Sequence, residues 1–153
     1  MVMARMRSGF AVIGDTQHLP GYSLLLTDDL AVDHPTDLPW PRRRDFFFDL
    51  SLLGEAVLNA TRADGAHRIN YEVLGNSWPH LHGHVHARYA WEPQDKISGP
   101  VWRYAKDVRN AREHAYEDSR HGALRAAITR EIEQLTAAAY AQFDAAQFAN
   151  PSY

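Results

Sequence analysis

Four of the nine histidines in this sequence fall at alternate positions of one stretch, Trp78-Pro79-His80-Leu81-His82-Gly83-His84-Val85-His86-Ala87-Arg88-Tyr89. Imidazole has an ordinary pKa near 6.5, so close to neutral pH it serves as nucleophile, proton donor or metal ligand without a large shift. In an extended strand, alternate side chains share a face at spacings of roughly 6 to 7 Å. His80, His82, His84, His86 and Arg88 then form one row, and Leu81, Gly83, Val85 and Ala87 form an apolar row suited to a core. On a helix the same spacing would scatter the rings around the axis, so the pattern argues for a strand.

Three uses compete for such a row. A solvated strand face is the plainest, but four histidines in seven residues exceed what an ordinary surface carries. A metal site is the second, because alternate imidazoles ligate zinc, iron or nickel when a carboxylate or a further histidine joins them. Glu72, Asp95 and His34 are available, yet no spacing marks them, and Ala87 and Arg88 stand where further ligands would be wanted. The third is attack on phosphorus. A neutral imidazole attacks without a separate strong base once its other nitrogen is held as a donor, and imidazoles two residues away bind phosphate oxygens or protonate the leaving group. Arg88 at the end of the row would attract a phosphate and repel a divalent cation. The residues favour phosphorus chemistry with no metal and no cofactor.

The elements that must hold this row are legible in outline. Phe10-Ala11-Val12-Ile13 and Tyr22-Ser23-Leu24-Leu25-Leu26 read as two strands of an antiparallel hairpin, joined through Gly14-Asp15-Thr16 and Pro20-Gly21. Residues 27 to 41 are an acidic, proline-bearing loop that leads into a helix with proline near its first turn. Phe46, Leu50, Leu53, Val57 and Ala60 then mark one helix face. A polar loop over Arg62 to His67 precedes a strand over Arg68 to Leu74, and Gly75-Asn76 breaks it before the histidine strand. After Tyr89 the chain is irregular through Pro93, Gly99 and Pro100. Trp91 and Trp102 there are lid or interface candidates, with core filling the more ordinary role. From about His121, Leu124, Ile128, Ile132, Leu135, Ala139 and Phe143 predict a long closing helix.

Composition bounds the rest. With 153 residues, 45% hydrophobic and 23% charged, and no internal repeat, the chain predicts one domain spanning 1–153 with a core over about 10–140. A net charge of −3 argues against nucleic acid as a partner and leaves room only for a small, focused anion site. There is no cysteine, no apolar run long enough for a membrane, and no secretory apolar core in Met1 to Arg7, so a cytoplasmic protein is expected.

The stretch Asn76-Ser77-Trp78-Pro79-His80-Leu81-His82-Gly83-His84-Val85 resembles the signature of the histidine triad (HIT) superfamily, three histidines alternating with mostly apolar residues. Leu19-Pro20-Gly21-Tyr22, the run Arg68 to Asn76, Arg88-Tyr89-Ala90-Trp91-Glu92-Pro93 and Gly99-Pro100-Val101-Trp102 also resemble bacterial members of the diadenosine-polyphosphate hydrolase-like branch. The resemblance implies an α/β (α+β) fold with a mostly antiparallel sheet, packed helices and a homodimer. It implies hydrolysis at the α-phosphorus of a dinucleoside polyphosphate or related nucleotidyl conjugate through a nucleotidyl-histidine intermediate. His82 would be the nucleophile, His84 would contact phosphate and leaving group, and His80 would support them. Asn70, Asn76, Ser77 and Asp15 would contact ribose or phosphates. The alternatives are a metal-dependent hydrolase and a nucleotide-binding protein without turnover. Gly83 departs from the family's larger apolar residue and would allow a close approach. His86 and Ala87 stand where members often carry an apolar residue and proline, and His86 is either a fourth site residue or an exposed extra, the extra being favoured because the triad is already complete.

Overall fold

The computed structural model describes residues 1–149, so the last four residues of the expected 1–153 unit lie outside the described residues. Five strands, β1 (Val2–Arg5), β2 (Gly9–Ile13), β3 (Ser23–Thr27), β4 (Ala66–Glu72) and β5 (His82–Tyr89), form one sheet in the order β1-β2-β3-β5-β4. Every neighbouring pair is antiparallel. Four α-helices accompany it: α1 (Trp40–Thr61), α2 (Gln94–Ile97), α3 (Lys106–Arg109) and the long α4 (Asp118–Ala149).

The hairpin, the first helix, the histidine strand and the closing helix are where the sequence places them. Three details differ. β1 is built from the segment read only as lacking a secretory core; Met3 and Met6 are buried, and a register shift between Val2 and Ala4 breaks the alternation that would have marked it. β4 begins two residues earlier than expected, at Ala66. The histidine strand begins at His82, so His80 lies in the approach to it and not in the pleat.

β5 is interior to the sheet and covered on both faces. On the apolar side, Leu81, Val85 and Ala87 are buried beneath α1, whose Phe46, Leu50, Leu53 and Val57 are buried against them. Burial of each such side chain is worth about 1.5–3 kcal/mol. Gly83 is what lets the helix approach: a Cβ there would come within 2.6 Å of a Leu50 methyl. α4 packs outside α1, burying Ile128 and Ile132 and hydrogen-bonding Asn59 through Glu131 at 3.0 Å.

On the opposite side the register sets the neighbours of the histidines. Arg68, Asn70 and Glu72 lie across from Arg88, His86 and His84, while Leu24 and Leu26 lie across from His84 and His82. The β2–β3 loop is stapled by the buried Gln17 carboxamide, which donates to the carbonyls of Gly14 and Tyr22, both at 3.0 Å, and accepts from Gly21 N at 2.8 Å. Gly21 has φ of 84°, a value that glycine adopts without a Cβ penalty. The segment between β5 and α4 is zipped onto this loop: Gln17 N donates to His114 O at 2.6 Å, Tyr116 N to Asp15 O at 2.8 Å, and the Thr16 hydroxyl to Arg109 O at 2.5 Å. No helix of the described residues is long and apolar enough to cross a membrane.

Candidate active site

His82 is buried, and its Nδ1 lies 2.6 Å from the backbone carbonyl of His80. A carbonyl only accepts, so Nδ1 carries the proton and donates it, leaving the Nε2 lone pair unprotonated in the neutral ring. His80 supplies that carbonyl, and its own ring Nε2 donates to Thr27 O at 3.1 Å, which fixes the approach to the strand. Trp78 covers both rings, at centroid distances of 4.9 Å from His80 and 5.2 Å from His82.

His84 presents its ring edge-on to His82, centroids 4.8 Å apart, and its Nδ1 lies 2.8 Å from the Tyr22 hydroxyl. Burial, with Asp15 and Glu72 adding to it, raises the Tyr22 pKa well above its usual value, so the phenol keeps its proton and donates it to Nδ1. That leaves His84 Nε2–H as a donor. Burial and the adjacent His82 push the His84 pKa down to about 4, which makes the ring neutral at pH 7. In that form the ring can offer Nε2–H to an anion, and a nearby negative charge would raise its pKa.

His86 is not the exposed extra that the sequence suggested. It is 5% exposed and stacked on Tyr22 at 4.4 Å with an interplanar angle of 2°. Its central position on a doubly covered strand accounts for this. Burial first, then His84, Arg109 and Arg88, push its pKa down to about 3. Its Nε2 has no hydrogen-bond partner and stands 3.8 Å from Glu72 Oε2, which also lacks one. Burial raises the Glu72 pKa, with Trp102 and the nearby arginines acting against it, so both members of this pair are shifted toward their neutral forms.

Arg88 also departs from its expected role. It is 2% exposed and bonded to both Glu92 carboxylate oxygens, to Asn70 Oδ1 at 2.9 Å, and to the carbonyls of Gly99 and Lys96 at 2.5 and 3.0 Å. Its charge is neutralised inside the fold and is not offered to a phosphate. Asn70 lies on the histidine face, but its carboxamide oxygen is committed to this network.

The remaining expected contacts converge on a two-lobed cleft. One lobe, about 450 Å³, has Asp15, Tyr22, Ser77, His86 and Arg109 in its wall; the other, about 490 Å³, has Asn76, Trp78, His82 and Leu74. His84, Ser77 and Trp102 belong to both, so His84 stands at the junction. Trp102, 42% exposed, is a wall of this cleft and not core, and Trp91 is an exposed ring stacked on Tyr89. Tyr22 and Arg109 are site residues that pattern reading missed. Tyr22 could have been found from its place two residues before Leu24 on the strand that flanks β5, whereas nothing local marks Arg109.

The residues that might have completed a metal site are placed elsewhere or singly. His34 caps the turn Pro35–Asp37, Asp95 pairs with Lys96, and Glu72 lies beside His86 and Trp102. Among the described residues no group of three or more histidine, aspartate or glutamate side chains is arranged to hold a metal ion.

No protein-family model matches the sequence, and no curated protein matches it significantly. Solved structures do match. A histidine triad protein from Marinobacter aquaeolei VT8 superposes with a TM-score of 0.71 at 23% identity, over 88% of this chain and 90% of that one. The chain has the histidine triad fold. A histidine triad (HIT) protein from Sinorhizobium meliloti 1021 gives 0.71 at 21% identity over 86% and 88% of the two chains. A hypothetical histidine triad nucleotide-binding protein from Sulfolobus tokodaii strain7 gives 0.64 at 14% identity over 88% and 84%. Within this fold, His80, His82 and His84 occupy the approach and first half of the strand that forms the floor of the cleft.

Proposed function

We propose that the protein hydrolyses nucleotides at the α-phosphorus through a nucleotidyl intermediate on His82, with dinucleoside polyphosphates or nucleoside phosphoramidates as the substrate class. The observation that carries this reading is the His82 tautomer: Nδ1–H is held by the His80 carbonyl, and Nε2 is left with a lone pair in a ring that borders the cleft. In the first step that lone pair forms a bond to phosphorus. The bond from phosphorus to the leaving oxygen or nitrogen breaks, its electron pair stays with the leaving atom, and a proton from the His84 side of the cleft or from solvent neutralises it. In the second step the oxygen of a water bonds to phosphorus and releases a proton to the His84 side of the cleft or to solvent, the phosphorus–Nε2 bond breaks, its electrons return to His82, and a nucleoside monophosphate departs. The imidazolium that forms on His82 is stabilised through Nδ1–H by the His80 carbonyl. The proposal assigns phosphate or ribose contacts to Asn76 and Ser77 and ribose hydroxyls to Asp15, supported by their positions in the lining of the cleft. Each lobe falls in the size range of small-molecule sites.

The same reading includes a homodimer, supported by β4, an edge strand with Arg68 and Tyr71 exposed. Light scattering after size exclusion should give twice 17.4 kDa, and a mass of one chain at micromolar concentration refutes the dimer. For the activity, a panel of diadenosine tetraphosphate, diadenosine triphosphate and adenosine 5′-phosphoramidate is incubated with the protein, with and without a chelator, and products are read by mass spectrometry. AMP released in the presence of chelator supports the proposal. No nucleoside monophosphate from any member refutes the hydrolase, and AMP binding without turnover favours the binding protein. Turnover that chelation abolishes and added metal restores favours the metal-dependent alternative.

A further inference from the structure

Arg109 is the one arginine in the wall of the His84 lobe, and its setting differs from that of Arg88 in every respect. Its guanidinium lies over the Trp102 ring, 4.5 Å from the centroid, and only its Nε is bonded, to Tyr104 O at 3.2 Å. Among the described residues no carboxylate comes within 4.0 Å of it. Its backbone carbonyl accepts from the Thr16 hydroxyl at 2.5 Å, so the residue is anchored to the β2–β3 loop that forms the facing wall. The result is a planar fork with both terminal nitrogens uncommitted, held by stacking and two backbone-level contacts before any ligand arrives. Such a fork matches a phosphate or carboxylate in bidentate geometry, and preorganisation limits the entropy lost on binding.

The surrounding groups do not compete for that role. His84 and His86 in the same wall are neutral at pH 7, because burial lowers both. His18, whose ring nitrogens are buried without partners between Tyr104 and His114, is lowered by burial as well. Among the residues lining the lobe there are therefore one fixed positive charge, on Arg109, and one carboxylate, on Asp15.

We infer that Arg109 is a specificity-determining residue that binds a second phosphate of the substrate, distinct from the phosphoryl group attacked at His82. The inference rests on the nucleotide reading above. The second phosphate has two sources, the chain of a leaving group beyond the α-phosphorus or a phosphate carried on the ribose, and both offer a pair of anionic non-bridging oxygens that the fork fits. Asp15 disfavours a phosphate on its own side of the lobe and accepts a hydroxyl there, so the two residues together read a hydroxyl and an anion at separate points.

The test is calorimetric titration of the full chain with AMP, ADP and adenosine 3′,5′-bisphosphate. In the parent protein one of the two diphosphorylated ligands should bind roughly 10- to 100-fold tighter than AMP, the scale of a charge-assisted bidentate contact. Which one gains identifies the source of the second phosphate. In Arg109→Gln the ratio should fall toward one, and in Arg109→Lys it should be intermediate, because the charge remains and the fork is lost. AMP binding with no gain from either second phosphate overturns this inference and leaves the nucleotide reading standing. A gain that survives in Arg109→Gln does the same. Failure of AMP itself to bind overturns both. Thermal unfolding of each variant separates these outcomes from a folding defect, and Arg109→Lys, which keeps the charge while losing the planar fork, serves as the second variant should Arg109→Gln not fold.

Discussion

Replacing His86 by phenylalanine should change how stability responds to acid more than it changes stability itself. The His86 pKa is pushed down to about 3 in the folded chain, chiefly by burial, against about 6.5 when unfolded. Below pH 6.5 the unfolded chain takes up a proton that the folded chain refuses, so the contribution of His86 is fully present above 6.5 and is lost as pH falls. Between pH 7 and 5 that loss is about 2 kcal/mol, and it is nearly the same for any folded pKa below 4. The groups facing the ring are Tyr22 just before β3, His84 and Arg88 on β5, Glu72 on β4, and Trp102 and Arg109 from the segment after β5. Glu72, raised by burial, works in the opposite sense, and His84 works in the same sense. Both remain in the variant, so the comparison isolates His86. The phenyl ring keeps the stacking on Tyr22 and removes a buried nitrogen that has no partner. Urea unfolding at pH 7, 6 and 5 should show the parent losing about 2 kcal/mol more than His86→Phe across that range. Equal losses would refute the neutral buried ring. A parent that gains stability on acidification relative to the variant would mean that His86 and Glu72 form an ion pair instead.

Tyr22→Phe removes the donor to His84 Nδ1 and keeps the ring that stacks on His86, and it should lower kcat about five- to tenfold with little change in affinity for AMP, the worth of one hydrogen bond. An unaltered kcat would show that the Tyr22 hydroxyl does not set the His84 tautomer. Glu92→Ala strands the buried Arg88 guanidinium, the Tyr104 hydroxyl and Tyr89 N, and should cost about 3–5 kcal/mol in urea unfolding at pH 7. Burial raises Glu92, but Arg88, Tyr89 N–H and Tyr104 outweigh it and hold its pKa below the ordinary value, so this stability is kept at neutral pH and lost as pH falls through the lowered value. A cost below 1 kcal/mol, the range of an exposed ion pair, would mean that the network is solvated. His82→Asn should lose several orders of magnitude in turnover while still binding AMP, and rapid quench of the parent should trap an acid-labile adduct of nucleotide mass on His82. Retained turnover in that variant would remove His82 as nucleophile.

Much of this arrangement was legible in the chain because it rests on short periods. The alternation from His82 to Arg88 puts three imidazoles and a guanidinium on one face whatever surrounds them, and the apolar residues between them predicted the helix-facing side correctly. Phe46, Leu50, Leu53 and Val57 on α1, and Ile128 and Ile132 on α4, follow from the helical period in the same way. What the chain concealed was depth. Alternation assigns a face but does not say whether that face is covered, and the segment that covers it, between Trp91 and Tyr116, has no period to read. His86 was therefore taken for a surface residue. Arg88 was taken for a free cation because Glu92 comes back to it only through the turn in which Glu92 N bonds Tyr89 O at 3.1 Å.

The exchange of roles between Arg88 and Arg109 follows from the same cover. A strand interior to the sheet cannot leave a guanidinium unpaired, since an uncompensated buried charge costs several kcal/mol. Arg88 is accordingly given a carboxylate, a carboxamide and two carbonyls, and it stitches the segment after β5 to the sheet. For the same reason His84 and His86 are held neutral, since adjacent imidazolium rings would repel and burial favours the uncharged form. On the proposed nucleotide reading, a free cation placed on β5 itself to attract an anion would have to be desolvated among the rings, which is the cost that Arg88 avoids by being paired. Arg109 of α3, stacked on Trp102 in the lining of the same lobe, would supply the charge from outside the strand. On that reading, the strand would keep an unprotonated nitrogen on His82 for the attacked phosphorus, and the covering segment would bring the cation for a second phosphate.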